Sequence, residues 1–325
     1  MIYNQAFHLP SSFTPQEKTV TMAGKVGQTT AAAAVSTGGS LISDAKLKQL
    51  YATMVHCRLL TERACRLRSQ PRPAGLYAAA MGQEAIATGC VINLRPEDTI
   101  ALAPQNSIAN LVKGVPLDDI VAQMHARPTA YDQWPNIIMP SPTQLSLAIS
   151  AALANKKKRK GNLVVAFADK ATAALGCWHE ALALAAKKSL PIIFVVEDNP
   201  WTDLASFTVS EDSTETARKY GFPIITVDAN DVVAVYRVAY ESVDRVRQGG
   251  GPVLVEARPY RLYSPTKRRL ATWRKERDPL AHMERYLKAK RLFSSRWKDQ
   301  VAQEFSQKLD AAVKASQKAQ RASQK

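Results

Sequence analysis

Four uninterrupted apolar runs in the second half of the chain constrain its fold more than any other feature. They are residues 162–168 (NLVVAFA), 191–196 (PIIFVV), 223–227 (PIITV) and 252–256 (PVLVE). A strand with one wet face alternates apolar and polar residues, whereas the run at 162–168 does not, which predicts a buried strand there and further strands at the other three. Helical stretches separate them: an Ala-rich one at 171–188, a short one at 214–220, and one at 231–248 closed by three glycines at 249–251. Strand–helix–strand alternation at this spacing implies right-handed crossovers and a parallel sheet flanked by helices, an α/β fold. Upstream, Ser43 and Asp44 can cap a helix running to about residue 69, with Leu47, Leu50, Tyr51 and Met54 on one face. The stretch QPRPAG at 70–75 ends it, Gly82 opens a second helix to about Leu94, and a short strand is expected at 99–103. After Asp278 and Pro279 the pattern turns amphipathic, basic and helical. The expected organisation is a disordered Thr/Ser/Gly/Ala-rich arm at 1–42, an α/β domain at 43–280 and a basic helical tail at 281–325.

At 325 residues with 46% hydrophobic content the chain can bury one large core. No apolar run approaches the ~20 residues that span a bilayer, so no membrane association is expected. The N-terminus lacks a basic-then-apolar leader and carries no arginine before Arg58, which points to the cytoplasm. Cys57, Cys65, Cys90 and Cys177 have no CxxC spacing and read as small hydrophobes in a reducing compartment. The net charge of +16 comes in blocks: KKKRK at 156–160, six basic residues around one acid at 267–277, and the tail from Lys288. Such runs read first as solvated faces, next as a surface for an acidic protein partner. Nucleic acid comes last, because zinc-finger spacing, RRM aromatics and bZIP heptads are all missing from the sequence. From Lys288 to the end a solvated helix is expected.

In a doubly wound parallel sheet, ligands sit at the carboxyl ends of the strands. There the sequence places Asp169 after one run, and Glu197, Asp198 and Asn199 after the next. If the two strands are neighbours, Asp169 and Asn199 converge. A carboxylate with a side-chain amide suits Mg2+ or Ca2+, and a helix N-terminus at the same place favours phosphate. Equally, Asp169 can cap a helix and Asn199-Pro200 can form a turn. The residue pattern leaves both open.

Seven ordered markers between residues 51 and 319 resemble the E1 α-subunit of thiamine-diphosphate-dependent 2-oxo acid dehydrogenases of the pyruvate, branched-chain and acetoin type. They begin with YATMVHCRLLTERA at 51–64, GLYAAAMGQEAIATG at 75–89 and LRPEDTI at 94–100. They continue through AISAALANKKKRKGNLVVAFAD, HEALALAAKKSLPIIFVVEDN and VDANDVVAVYRVAYESVDRVRQGGGPVLVEARPYR to RDPLAHMERYLKAKRLF. The resemblance implies a thiamine-diphosphate-binding fold, with Asp169 and Asn199 as metal ligands and Asp169, Lys170, Gln144 and Glu197 as cofactor-binding residues. It implies thiamine diphosphate and Mg2+ held against an E1 β-like subunit, oxidative decarboxylation of a 2-oxo acid, and acyl transfer to a lipoyl-E2 partner. A hetero- or homo-oligomer follows, and the Ala- and Leu-rich faces at 84–91 and 171–186 are expected to make its close helix contacts.

The chain also departs from the family pattern. The GDG that opens the cofactor motif reads Ala168-Asp169-Lys170, and the closing NN reads Asp198-Asn199, with one extra residue between Asp169 and Glu180. Glycine belongs at such positions because backbone must approach the diphosphate closely. Tyr-Arg-x-His becomes Pro104-Gln105-Asn106-Ser107, a histidine ahead of GQEA becomes Ala78, and two glycines become Ala148 and Ser150. The His-rich loop reads Leu262-Tyr263-Ser264-Pro265, and a Gly-rich segment is nearly absent around 127–136. None of His8, His56, His125, His179 and His282 matches a family catalytic position, so no catalytic residue is identified. Three readings follow: an E1 α-like subunit with impaired cofactor binding, a non-catalytic pseudo-subunit that scaffolds or regulates an E1 β-like partner, and a basic protein for an anionic partner.

Overall fold

The apolar runs become adjacent strands. The computed structural model describes residues 42–67, 80–102, 106–125, 137–138, 141–158, 160–197, 213–258 and 278–323. Its strands are β1 (Thr99–Leu102), β2 (Ile137–Ile138), β3 (Val164–Asp169), β4 (Ile192–Glu197), β5 (Ile224–Asp228) and β6 (Val253–Arg258). They form one parallel sheet in the order β2-β1-β3-β4-β6-β5. The helices are α1 (Asp44–Leu67), α2 (Glu84–Val91), α3 (Ala109–Lys113), α4 (Leu117–His125), α5 (Ser141–Lys158) and α6 (Lys170–Ala173). After them come α7 (Gly176–Lys187), α8 (Ser213–Lys219), α9 (Val232–Arg247), α10 (Pro279–Ala289) and α11 (Ser295–Ser323).

Successive strand residues point to opposite faces, and here both faces are covered. Ala166, Ala168, Phe194 and Val196 pack with Leu145 and Ala148 of α5, Trp178 and Leu182 of α7, and Ala217 of α8. Val165, Phe167, Ile193 and Val195 pack with Val235 and Ala239 of α9, Ile86 and Cys90 of α2, and Ile120 of α4. Outside that layer, the expected stripe of Leu47, Leu50, Tyr51 and Met54 is fully buried against Val232, Val233, Met283 and Leu287.

Helix α2 is buried along its whole length. A Cβ on Gly89 would stand 2.6 Å from Val235 Cγ1 and 2.9 Å from Tyr236 N, so glycine is what lets α2 and α9 cross this closely. The 84–91 face expected to meet another subunit is therefore occupied inside the chain. Three further expectations are revised. The single helix at 171–188 is two, α6 and α7, parted at Ala174 and Leu175 because Asp169 caps a separate first turn. Helices α3, α4 and α5 and strand β2 were not expected. The stretch from Lys288 is not one solvated helix: the chain turns after α10, with Arg291 at φ 60, and α11 buries Phe305, Leu309, Ala312 and Val313 in the central core. Asp310 of α11 pairs with Arg63 of α1. Residues 1–41 of the expected arm and the basic block at 267–277 lie outside the described residues. Cys57 and Cys90 are buried as expected, Cys177 is half-buried and Cys65 is exposed. Among the described residues no helix is long and apolar enough to cross a membrane.

One buried carboxylate fixes where the central strands start. Asp98 accepts from Leu163 N at 3.0 Å and Arg95 N at 2.7 Å, and it pairs with Arg247 at the end of α9. Arg247 also donates to the Gly161 carbonyl at 2.7 Å. The beginnings of β1 and β3 are thereby tied to α9. Removing one partner of a buried ion pair strands the other charge, at a cost of roughly 3–5 kcal/mol. Asp98→Ala should lower unfolding free energy in urea by about that amount, and a loss under about 1 kcal/mol would refute the assignment.

A second test uses pH. His56 of α1 stacks on Phe305 of α11 with ring centroids 4.3 Å apart. Burial first, and the Lys308 charge second, hold His56 down to about 4, against a smaller opposing pull from Glu304. The unfolded chain takes up that proton near pH 6.5, so the native state binds fewer protons between about 6.5 and 4. This contribution to stability is complete above about pH 6.5 and is lost as pH falls through about 4. His56→Phe keeps a ring against Phe305 and removes the titration. Its urea midpoint should fall less than the parent's between neutral and acid pH, and parallel falls would contradict this.

Candidate functional site

Strand order fixes where a ligand could enter. β1 is followed by β2 on one side and β3 by β4 on the other, so the carboxyl ends of β1 and β3 form the switch point where such sheets take a ligand. Gln144, one turn into α5, sits there. It is fully buried, and its Nε2 donates to the carbonyls of Ala101 in β1 and Phe167 in β3, both at 2.7 Å. Its Oε1 is buried, with no hydrogen-bond partner among the described residues. The amide thus joins the two strands where the ladder between them ends.

Asp169 is the last residue of β3 and stands in register with Glu197, the last residue of β4. Asp169 has extended backbone, and its Oδ1 accepts from Thr172 N at 2.7 Å, capping α6. Ala168 is buried in the core, and Lys170, the first residue of α6, is exposed. Glu197 is buried. Burial pushes its carboxyl up to about 8, against a hydrogen bond from Asn106 that draws it down, with the Asp169 charge adding a smaller upward push. Near neutral pH burial therefore favours its protonated form, and its Oε1 has no hydrogen-bond partner among the described residues. Cys90 of α2 stands behind it: burial, and then the Glu197 charge, raise that thiol.

The structure brings together Asp169, Glu197 and Thr172, with Lys170 exposed beside them, while Gln144 sits between β1 and β3. Asn199 and Asp198 lie outside the described residues, as do Ala78, Pro104, Gln105, residues 127–136 and residues 262–265. Asn106 was read in the sequence only as a lost family position, yet it hydrogen bonds Glu197. Its place just beyond a strand end was the available signal. Ser107 beside it is buried, and its Oγ has no hydrogen-bond partner among the described residues.

A metal-bound diphosphate needs several oxygen ligands and close approach of backbone. The described residues offer the Asp169 carboxyl, already engaged with Thr172 N, the buried acid Glu197 beside it, and side chains at both glycine positions. No group of three His, Cys, Asp or Glu side chains suited to a metal occurs among them. Asn199, the other half of the expected metal pair, and residues 103–105 lie outside the described residues, so Asp169 alone stands for that pair here.

A family model described as dehydrogenase E1 component matches residues 51–325. The α subunit of acetoin:2,6-dichlorophenolindophenol oxidoreductase from Bacillus subtilis is 27% identical over 263 residues, covering 76% of this chain and 79% of that protein. The pyruvate dehydrogenase E1 component subunit α of Staphylococcus epidermidis is 28% identical over 292 residues, covering 84% of this chain and 78% of its own length. The same subunit of Staphylococcus aureus gives the same figures. The chain belongs to the dehydrogenase E1 component family.

The Gln144 clamp is testable by stability. Gln144→Leu removes both bonds and leaves two strand-end carbonyls unsatisfied, which should cost about 2 kcal/mol. Urea unfolding measures this, and an unchanged midpoint would show that the amide does not hold β1 and β3 together.

Proposed function

We propose that this chain is the α-like half of a thiamine-diphosphate-dependent 2-oxo acid dehydrogenase E1, and that its cofactor edge holds thiamine diphosphate and Mg2+ weakly or not at all. It acts in the cytoplasm, assembled with an E1 β-like subunit and, through it, with a lipoyl-E2. In this reading Asp169 and Asn199 are the remaining metal pair, and Gln144, Lys170 and Glu197 surround the diphosphate position. The observation that carries it is the paired ending of β3 and β4: the Asp169 carboxylate caps α6, while Glu197 beside it stays protonated near neutral pH. The sequence adds Pro104 and Gln105, where relatives of this type carry an aromatic–arginine pair. A hydrogen bond to a charged group contributes roughly 1.5–3 kcal/mol, so losing the arginine alone weakens anion binding about ten- to a hundredfold. When bound, the cofactor supplies the carbanion that attacks the oxo carbon. No side chain of this chain is assigned a catalytic step.

The same observation supports a second reading, a non-catalytic subunit that keeps the fold and scaffolds or regulates its β-like partner. The core on both sheet faces is built, and Ala168 and Lys170 depart from the family pattern where β3 ends. Calorimetry of thiamine diphosphate with Mg2+, on the chain co-expressed with an E1 β-like partner, tests both. The expected result is assembly with the partner, little or no binding heat, and assembly unchanged in Asp169→Ala. Micromolar binding with decarboxylation of a 2-oxo acid, both lost in Asp169→Ala, would overturn the impaired-site reading.

A further inference from the structure

Two helix ends meet at the corner where β3 and β4 begin, opposite the edge that carries Asp169 and Glu197. The last turn of α5 holds Lys156, Lys157 and Lys158, with Lys160 just beyond. Helix α7 ends at Lys187, and Lys188 is its C-cap. Lys156 Nζ donates to the carbonyl of Lys188 and, at 3.4 Å, to that of Ser189, so the two ends are fastened to each other. A lysine here answers the unpaired carbonyls and the negative pole of a helix C-terminus. Lys156 already does this. Lys157, Lys158, Lys160, Lys187 and Lys188 are also exposed, and none has an ion-pair partner among the described residues.

Like charges crowded at neighbouring helix ends repel one another, and a counter-charge from outside relieves that repulsion. We infer that this lysine corner docks a carboxylate-rich segment of a partner protein. The charge is confined to two helix ends, which matches a short acidic stretch more closely than a phosphate backbone tracked over several nucleotides. Neither 156–160 nor 187–189 carries an aromatic residue on which a base could stack. The surface lies at the opposite ends of β3 and β4 from the cofactor edge, so it serves a catalytic and a non-catalytic subunit alike.

Fluorescence anisotropy of the full chain with a labelled oligo-glutamate peptide, and with duplex DNA of equal charge, tests this. Peptide binding is expected at low salt and should weaken as salt rises, because exposed charges are screened over about 8 Å at physiological ionic strength. The variant carrying Lys157→Gln, Lys158→Gln and Lys160→Gln should bind about tenfold more weakly. Lys187→Gln with Lys188→Gln should weaken binding in the same direction, and it decides the matter if the first variant fails to fold by circular dichroism. Lys314→Gln with Lys318→Gln, on the exposed side of α11, should bind as the parent does. Unchanged binding in the lysine-corner variants, equal loss in the α11 variant, or tighter binding of the DNA than of the peptide would each overturn the inference.

Discussion

The in-register pairing of β3 with β4 is the constraint on which the rest of the molecule depends. It runs from Val164 opposite Ile192 to Asp169 opposite Glu197. Both strands are buried on both faces, so their interior positions admit only apolar side chains, and polar residues appear where the strands emerge. At the carboxyl ends that rule sets two acids side by side, Glu197 buried and Asp169 half-buried. Two neighbouring carboxyls with little access to water do not both ionise easily, and the more buried one keeps its proton. The electrostatic character of this edge thus follows from strand register and burial, before any ligand is considered.

Around that pair the fold is held by polar contacts at opposite ends of the sheet. Asp98 and Arg247 fix the beginnings of β1 and β3, and Gln144 joins the same strands where they part. A third contact lies further out: Arg58 of α1 reaches Glu84 at the start of α2 and Asp278 at the cap of α10. Each joins segments far apart in sequence, and each carboxylate sits beside an arginine that shares its burial. Of the departures from the family pattern, Ala168 and Lys170 stand where β3 passes into α6, and Ala148 and Ser150 lie within α5.

Much of the fold was legible in the sequence, for physical reasons that differ by element. The runs at 162–168 and 191–196 were readable because burial on both faces removes the polar alternation of an edge strand. The stripe of Leu47, Leu50, Tyr51 and Met54 was readable because α1 has one wet face. Helix α5 was hidden because small residues such as Ala148, Ala151 and Ala152 give no strong contrast between faces. The Gly89 crossing was misassigned because an Ala- and Gly-rich face looks the same whether it meets another subunit or its own chain. At the site, Asp169 was legible as a strand-end residue and as a possible cap. The roles of Gln144 and Asn106 were not, because they depend on where β1 and β3 part and on which side chain reaches Glu197. The protonated state of Glu197 depends on burial that spacing does not encode.

We propose an intact E1 α-like fold whose diphosphate edge is incomplete. Thermal unfolding of the chain, co-purified with an E1 β-like partner and scanned with and without saturating thiamine diphosphate and Mg2+, tests it most directly. A ligand held in the native state at a hundred times its dissociation constant adds about 2.7 kcal/mol of stability, a shift of several degrees. The expected result is a single cooperative transition whose midpoint does not move with the cofactor. A midpoint that rises by several degrees, and no longer does so in Asp169→Ala, would contradict the claim.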